Sequence, residues 1–435
     1  MSRYNTFKYS EQKYGASSPA TLLWALEIDW DGDGVFDGSN EAGLLTNVSV
    51  QRGRDFYLKS DGSGFEPVTV GQLSMILDND DGRFDAFNTS SPIYPIAPGR
   101  FVRLRVKDGD DFHPVFAGRI SDIRPISSSR PKQVRITAVD GGQALQDVDV
   151  SIDIQETIGL DDAIRMILTT AEWPTSWGTD IDVSADYLPY WWASGKTAIQ
   201  AIQELSDAGL GVFFIAADGS AKYYSRHHIS APVISVTQAD LKKDVSVNQP
   251  WDVVRNKVSI VAYPRLLESS TDLWQLWDKP LIPAGATVEL WATFTYGGKN
   301  VPAINLIDPV ATTDYLANTL ENGTGTNLTG SFVINLYPFS EVAKLSIKNN
   351  SESDGYLTFL KLRGQPISAP DPVTVISDDL ASQALYGVRR FTLDSTWVQS
   401  TNTALDFVNF LKTYLSSPRA FPVIQIEKRP ELQFA

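Results

Sequence analysis

The sequence predicts a mainly β protein with one small α+β module, and three observations predict it. Apolar and polar residues alternate along most of the chain, the period of a half-buried strand. Turn clusters such as "DGSG", "DNDDG", "APG" and "VDGG" punctuate the alternating runs. The period changes to that of an amphipathic helix only in a middle stretch and near the end. A chain of 435 residues is also too long for one core, so several domains are expected.

Residues 1–20 are polar and aperiodic, and are expected to form a flexible N-terminal arm. In "LLWALEIDW", Trp24, Leu26, Ile28 and Trp30 share one face. Leu73, Met75 and Leu77 do so in "GQLSMILD", and Val134, Ile136 and Ala138 in "KQVRITAVD". In "FVRLRVKD", Val102, Leu104 and Val106 face inward while Arg103 and Arg105 face outward. Residues 21–150 therefore read as a first β-barrel or sandwich.

Residues 151–230 read as the α+β module. Leu160, Ile164, Ile167, Leu168 and Ala171 form one helical stripe, with Asp161 and Asp162 placed to complement the dipole in the first turn. "SGKTAIQAIQELSDAG" predicts a second helix lined by Ile199, Ile202 and Leu205, with Gly209 at its C-terminal cap. "VFFIAADGSAKYYSRHH" predicts a hairpin turning at Asp218-Gly219. The β pattern resumes in "VVRNKVSIVAY", where Val254, Asn256, Val258 and Ile260 alternate. Residues 265–366 contain at least five strand candidates, including "ATVELWATFTY" and "GYLTFLKLRG", and read as a β-sandwich. "STNTALDFVNFLKTYLSSP" is a helix striped by Ala404, Val408, Leu411 and Leu415, with Thr403 and Asp406 spaced as a capping box and Pro418 past its end.

Composition narrows the function. The net charge of −15 repels nucleic acid and anionic membranes as ligands, yet an acidic channel wall lets DNA slide past without sticking. The absence of cysteine removes disulfide, thiolate and Cys-zinc chemistry and fits a reducing cytosol. The N-terminus has no apolar signal core and no stretch reaches eighteen apolar residues, so a soluble chain is expected.

The densest chemistry is "IDWDGDGVFDGSNE". Asp29, Asp31, Asp33 and Gly34 match the first half of a calcium loop, in which alternate carboxylates point into one bowl and the glycine permits a sharp turn. Val35 would offer its carbonyl, and Asp37 would bind directly or through water. Asn40 stands where an EF-hand needs a bidentate Glu, and Glu41 comes one place late, so the segment resembles the shorter D-x-D-x-D-G-x-x-D loops. Two readings stand, a Ca2+ site built from Asp29, Asp31, Asp33, Val35, Asp37 and Glu41 or an Asx-turn hairpin with solvated acids; the third, an acid catalyst, is set aside because no substrate cleft or partner acid is visible in the sequence. "LDNDDGRFD" fits the loop template less well and reads as a turn.

Catalytic signatures are absent. "SGKTA" lacks the first glycine of a P-loop, because Tyr190 stands there. His227 and His228 are adjacent on an extended segment and point to opposite faces. There is no G-x-S-x-G elbow, and Trp191, Trp192, Trp274 and Trp277 are core or interface residues by default, with sugar binding as the alternative. No enzyme activity is expected.

Several motifs together carry a family likeness. "LEIDWDGDGVFDGSNE" followed by "VSVQRGRD" resembles the N-terminal strand, acidic loop and RGRD segment of minor tail proteins of long-tailed phages and prophages. "GQLSMILDNDDGRFDAFNTSSPIYPIAPGRFVRLRV" resembles their next segment, and "FAGRISDI" the strand after it. "AIQELSDAGLGVFFIAADGSAKYYSRHH" is similar to their helix-hairpin module, "DVVRNKVSI" to its following strand and "ALYGVRRFTLDSTW" to the closing hub segment.

The resemblance implies a tail-tip, or baseplate hub, protein located in the virion and assembled in the host cytoplasm. It implies tail-tube-like β-barrel domains, the second split into 231–264 and 367–435 by an inserted β-sandwich at 265–366. It implies a homotrimeric ring that continues and closes the tube. The implied partners are the distal tail protein ring, the tape-measure protein and a tail fibre or receptor-binding protein, with DNA present only in transit. Some relatives carry a fibre, peptidase or lysin beyond the hub, and none is expected here. The alternative readings are a glycan-binding tail module acting through 265–366 and a cell-wall hydrolase.

Overall fold

The structure, a computed structural model, describes residues 6–8, 23–36, 40–52, 59, 62–64, 66–108, 111–126, 132–228, 246–249, 251–419 and 421–423. Seven strands build the first unit: β1 (Thr6–Lys8), β2 (Leu23–Ile28), β3 (Leu45–Gln51), β4 (Gln72–Asp78), β5 (Phe101–Asp108), β6 (Asp111–Ile126) and β7 (Gln133–Val139). They form one sheet in the order β1-β3-β4-β7-β6-β5-β2, with every neighbouring pair antiparallel. β1 and β2 at its two ends are not paired, so the sheet is half a barrel. β1 lies in the stretch expected to be an arm; the rest of 1–20 falls outside the described residues.

The alternation decides which face is buried. Leu26, Ile28, Leu73, Met75, Leu77, Val102, Leu104, Val106, Val134, Ile136 and Ala138 all lie in one core. On the opposite face, Arg103 and Arg105 clamp Glu27 across the β2–β5 pair, with nitrogen-to-oxygen distances of 2.7 Å to each guanidinium. Burial opposes the charge on Glu27, but the two arginines outweigh it and hold the carboxyl below its usual range.

The next segment comprises α1 (Gly142–Asp147), β8 (Asp149–Gly159), α2 (Leu160–Thr170), β9 (Thr179–Ile181), β10 (Tyr187–Thr197), α3 (Ala198–Ala208), β11 (Val212–Ile215) and β12 (Ala221–Tyr224). Both expected helices form, each burying its apolar stripe. The "SGKT" residues close β10 and do not begin a helix; α3 starts one residue later, behind a Thr197–Gln200 capping box. β8 and β10 pair as a long antiparallel arm that the sequence pattern did not suggest. Gly209 ends α3, as expected. The β11–β12 hairpin turns through Gly219, and β9 joins its outer edge in parallel.

Then come β13 (Ser246–Asn248) and β14 (Lys257–Ala262), followed by β15 (Leu266–Leu267), β16 (Thr271–Gln275), β17 (Leu281–Ile282), β18 (Thr287–Thr293), β19 (Thr295–Tyr296), β20 (Lys299–Asn300), β21 (Ala303–Ile307), β22 (Tyr315–Asn318), β23 (Phe332–Pro338), β24 (Val342–Asn349) and β25 (Gly355–Ser368). β15 to β25 are the expected sandwich. The long β25 organises one sheet, β18-β24-β23 forms the other, and the two enclose a core of their own.

The chain finishes with β26 (Val373–Asp378), α4 (Leu380–Tyr386), β27 (Arg390–Asp394), α5 (Thr401–Leu415) and β28 (Phe421–Val423). β14 is the middle strand of a three-stranded sheet, antiparallel to β26 and parallel to β27. The chain leaves this sheet after Ala262 and re-enters at its cross-strand partner Val373, so the sandwich is an insertion between two paired strands. Where a second barrel was expected, the described residues form this sheet backed by α5, plus the β13–β28 pair. Ser400 caps α5 by accepting from the Asn402 and Thr403 N–H groups; the expected cap, Thr403, lies inside the helix.

Residues expected in separate units share one core. Ile164, Trp191, Ile202 and Phe213 pack in the same cluster as Val258, Ile260, Phe391, Trp397 and Phe407. Polar links cross the same boundary: Trp397 Nε1 donates to Glu204 at 2.9 Å, and Gln399 exchanges hydrogen bonds with the Tyr190 backbone. No helix among the described residues is long and apolar enough to cross a membrane.

Candidate functional site

The acidic loop hangs from the end of β2. The Asp29 N–H still donates to the Phe101 carbonyl at 2.9 Å, continuing the β2–β5 ladder by one residue. That pairing holds the Asp29 side chain inside, 2% exposed, where its two oxygens accept from the Gly32 N–H at 2.7 Å and the Gly34 N–H at 3.0 Å. Asp31 accepts from the Asp33 N–H at 3.4 Å, and Asp33 from the Val35 N–H at 2.8 Å. The chain can wind this tightly because Gly32 and Gly34 take φ of +81° and +87°.

The wound loop brings carboxylate oxygens of Asp29, Asp31 and Asp33 within 4.8 Å of one another, the one such grouping of three or more possible ligands among the described residues. Asp31 and Asp33 face solvent. The nearby Arg100 directs its guanidinium to a backbone atom, donating to the Asp31 carbonyl at 2.9 Å. Each of these oxygens accepts at most one of the N–H bonds just described, so lone pairs remain for a hard cation.

The other expected ligands are placed differently. Val35 is exposed, and Asp37 lies outside the described residues. Glu41 is buried away from the three aspartates and pairs with Arg83 at 2.9 Å. Asn40 turns back on β2, its Oδ1 accepting from Leu26 N–H at 2.9 Å and Ala42 N–H at 3.0 Å.

Arg83 belongs to the second acidic turn, and this contact joins the two loops. Within the turn, buried Asn79 accepts from the Phe84 N–H at 2.9 Å, while Asp78, Asp81 and Asp85 each accept from the N–H two residues on. The turn reading of "LDNDDGRFD" therefore holds. Phe84 is fully buried and packs on Trp30, their ring centroids 6.0 Å apart. Further along, Asn88 donates to the Gly82 carbonyl and Ser91 to the Arg83 carbonyl. Sequence reasoning missed the two arginines. Their signal was the G-R-F and P-G-R spacing, which carries no information about partners on other strands.

Among the described residues, the histidines join no grouping of three or more possible metal ligands. His228 lies flat on Tyr224, ring centroids 3.7 Å apart, with Nδ1 2.8 Å from Asp182, while His227 packs its edge against Phe410.

No protein-family profile matches the chain, and no curated protein matches it. Solved structures do. A tail protein from Neisseria meningitidis MC58 is 14% identical, with a TM-score of 0.37 over 55% of this chain and 65% of that one. The 43 kDa tail protein of prophage MuSo2 from Shewanella oneidensis is 16% identical, with a TM-score of 0.35 over 55% of this chain and 64% of that one. The chain thus spans just under two thirds of each of these two. Prophage tail protein gp18 from Listeria monocytogenes EGD-e is 10% identical, with a TM-score of 0.38, over 88% of this chain and 81% of that one. The structural neighbours of this chain include phage and prophage tail proteins and a component of the type VI secretion system from E. coli.

Proposed function

We propose that the chain is a tail-tip hub protein: a virion component whose three copies form a ring that continues and closes the tail tube, anchors fibres and lets DNA pass on infection. The observation that carries this reading is the interlocking of the resemblance-bearing motifs. Asn79 with Phe84, Asn88 with Gly82, Ser91 with Arg83, Arg83 with Glu41 and Arg100 with Asp31 bind the "LDNDDGRF", "NTSSP", "PGR" and acidic-loop segments into one cluster at one end of the half-barrel. The motif residues act on one another, which gives a physical reason for them to occur together.

The partners under this reading are the distal tail ring, the tape-measure protein and a fibre or receptor-binding protein. The net charge of −15 suits a channel wall that DNA must not adhere to. A strongly basic lumen in the assembled ring would contradict that. Immunogold electron microscopy with antibody against residues 265–366 tests the location. Label is expected at the tail end far from the head, and absence of label from intact particles would refute the reading.

We also propose Ca2+ as the ion of the Asp29, Asp31 and Asp33 cluster, with the Val35 carbonyl and Asp37 as further oxygen donors. The all-oxygen donor set fits a hard cation, and the mutual repulsion of three carboxylates supplies the reason to bind one. Binding to the folded state alone would raise stability by mass action. Chelation is expected to lower the melting temperature; an unchanged value would refute the site.

A further inference from the structure

The sandwich presents one sheet face that no other element among the described residues covers, and its pattern is unusual. In β18, Thr287, Glu289 and Trp291 point out while Val288, Leu290 and Ala292 point to the core. In β23, Val333, Asn335 and Tyr337 point out; in β24, Lys344, Ser346 and Lys348 do. The register sets these side chains in three rows across the sheet: Trp291–Lys344–Tyr337, Glu289–Ser346–Asn335 and Thr287–Lys348–Val333.

Two features of the face select a ligand. Trp291 and Tyr337 are 59% and 48% exposed and flank the same residue of the central strand, so they stand two strand spacings, about 10 Å, apart. Phe339 stacks beside Trp291, 5.7 Å away and tilted by 28°, and extends the ring surface past the strand end. Between the rings lies Lys344, whose ammonium is 5.5 Å from the Tyr337 ring centroid, and the next row carries the Glu289 carboxylate, the Ser346 hydroxyl and the Asn335 amide, so no continuous aliphatic strip is offered for a helix or strand to bury.

The second feature is charge. Lys344 is held by Glu289 at 2.9 Å, whereas Lys348 pairs with no carboxylate among the described residues. Two lysines against one glutamate make the face locally cationic on a chain of net charge −15. We propose that this face binds an extended acidic polysaccharide of linked pyranose rings. The apolar faces of alternate sugar rings lie on Trp291 and Tyr337, hydroxyls meet Glu289, Asn335 and Ser346, and a sugar carboxylate meets Lys348.

The test is affinity electrophoresis of the full chain through native gels containing carboxymethyl cellulose or its neutral counterpart, hydroxyethyl cellulose, with alginate as a second acidic polymer. Retardation by the acidic polymers is expected, against the overall repulsion of two anions. W291A and Y337A should each weaken it about tenfold, as truncating an aromatic anchor does, with circular dichroism unchanged because both residues are exposed. K348E should weaken it while leaving the rings in place. Absence of retardation by both acidic polymers, equal retardation by the neutral one, or retardation indifferent to W291A would overturn the proposal. So would a self-association in sedimentation equilibrium that W291A abolishes, since the face would then belong to a second copy. None of these outcomes depends on where in a particle the chain resides.

Discussion

Replacing Asn256 by alanine probes the joint between the two halves of the split sheet. Asn256 is fully buried. Its Nδ2 donates to the Gly387 carbonyl at 2.8 Å and the Ser382 hydroxyl at 3.1 Å, and its Oδ1 accepts from the Arg389 N–H at 2.7 Å. Alanine removes all three bonds at once. Gly387 is exposed, so its carbonyl regains water and that loss is small. Ser382 keeps its bond to the Ser416 carbonyl. The Arg389 N–H is the donor most at risk of being stranded. Ordinary hydrogen bonds contribute about 1 kcal/mol and a stranded buried donor costs about 1–3 kcal/mol, so the sum is about 2–4 kcal/mol. For a unit of this size the melting temperature should fall by roughly 5–15 °C. Scanning calorimetry reads it, and the sandwich, with its separate core, should melt unchanged. Asn256→Asp keeps the shape but loses both donors and buries a charge, so it should be at least as damaging. A fall of less than about 2 °C for Asn256→Ala would refute the idea that this residue holds the halves together.

Three further outcomes are expected. Asp33→Ala should abolish any stabilisation by added calcium while leaving the metal-free protein folded; a calcium response that survives it would move the ion elsewhere. Burial pushes the Asp140 carboxyl up to about 7, against the Gly142 and Gly71 N–H groups and the charge of Arg52. The folded state therefore keeps a proton that the unfolded chain has released, and stability falls as pH rises from about 4 to about 7. Asp140→Asn should flatten that decline in melting temperature, and parallel pH profiles for the two proteins would refute the assignment. Replacing residues 264–371 by Asn-Gly should leave a folded protein, because Ala262 and Val373 are already cross-strand partners. Loss of the cooperative transition of the remaining core would show that the sandwich is needed for folding.

The sequence made the first sheet readable because its core lies on one face, which forces strict alternation on β4, β5 and β7. The three-aspartate grouping was readable for a related reason: its geometry is local, fixed by D-x-D-x-D-G spacing. Arg83 with Glu41 and Arg100 with Asp31 were not readable, since each pair is brought together by strands distant in sequence. β10 was missed because Pro189 and Gly195 interrupt its pattern, and Gly195 takes a φ of +64° at an irregularity in the pairing. Thr403 and Asp406 imitated a capping box inside α5, while Ser400, three residues earlier, makes the bonds. The shared core was invisible for the most general reason: Trp191 and Trp397 meet at 6.4 Å, and no periodicity reports a contact across two hundred residues.

The route by which the sandwich joins the rest has a mechanical consequence. Both of its connections leave from one end of the β14–β26 pair, at Ala262 and Val373. A pull on the sandwich therefore loads the two strands together and does not peel one from the other. The load passes sideways into β27, whose parallel bonds to β14 span five residue pairs, and these share it in shear. A second strut lies alongside, where Glu341 of the sandwich accepts from Trp192 Nε1 at 3.3 Å and Arg265 lies over the same indole. Force applied to the sandwich is thus delivered to the largest core among the described residues through two separate attachments, so that neither one carries the whole load.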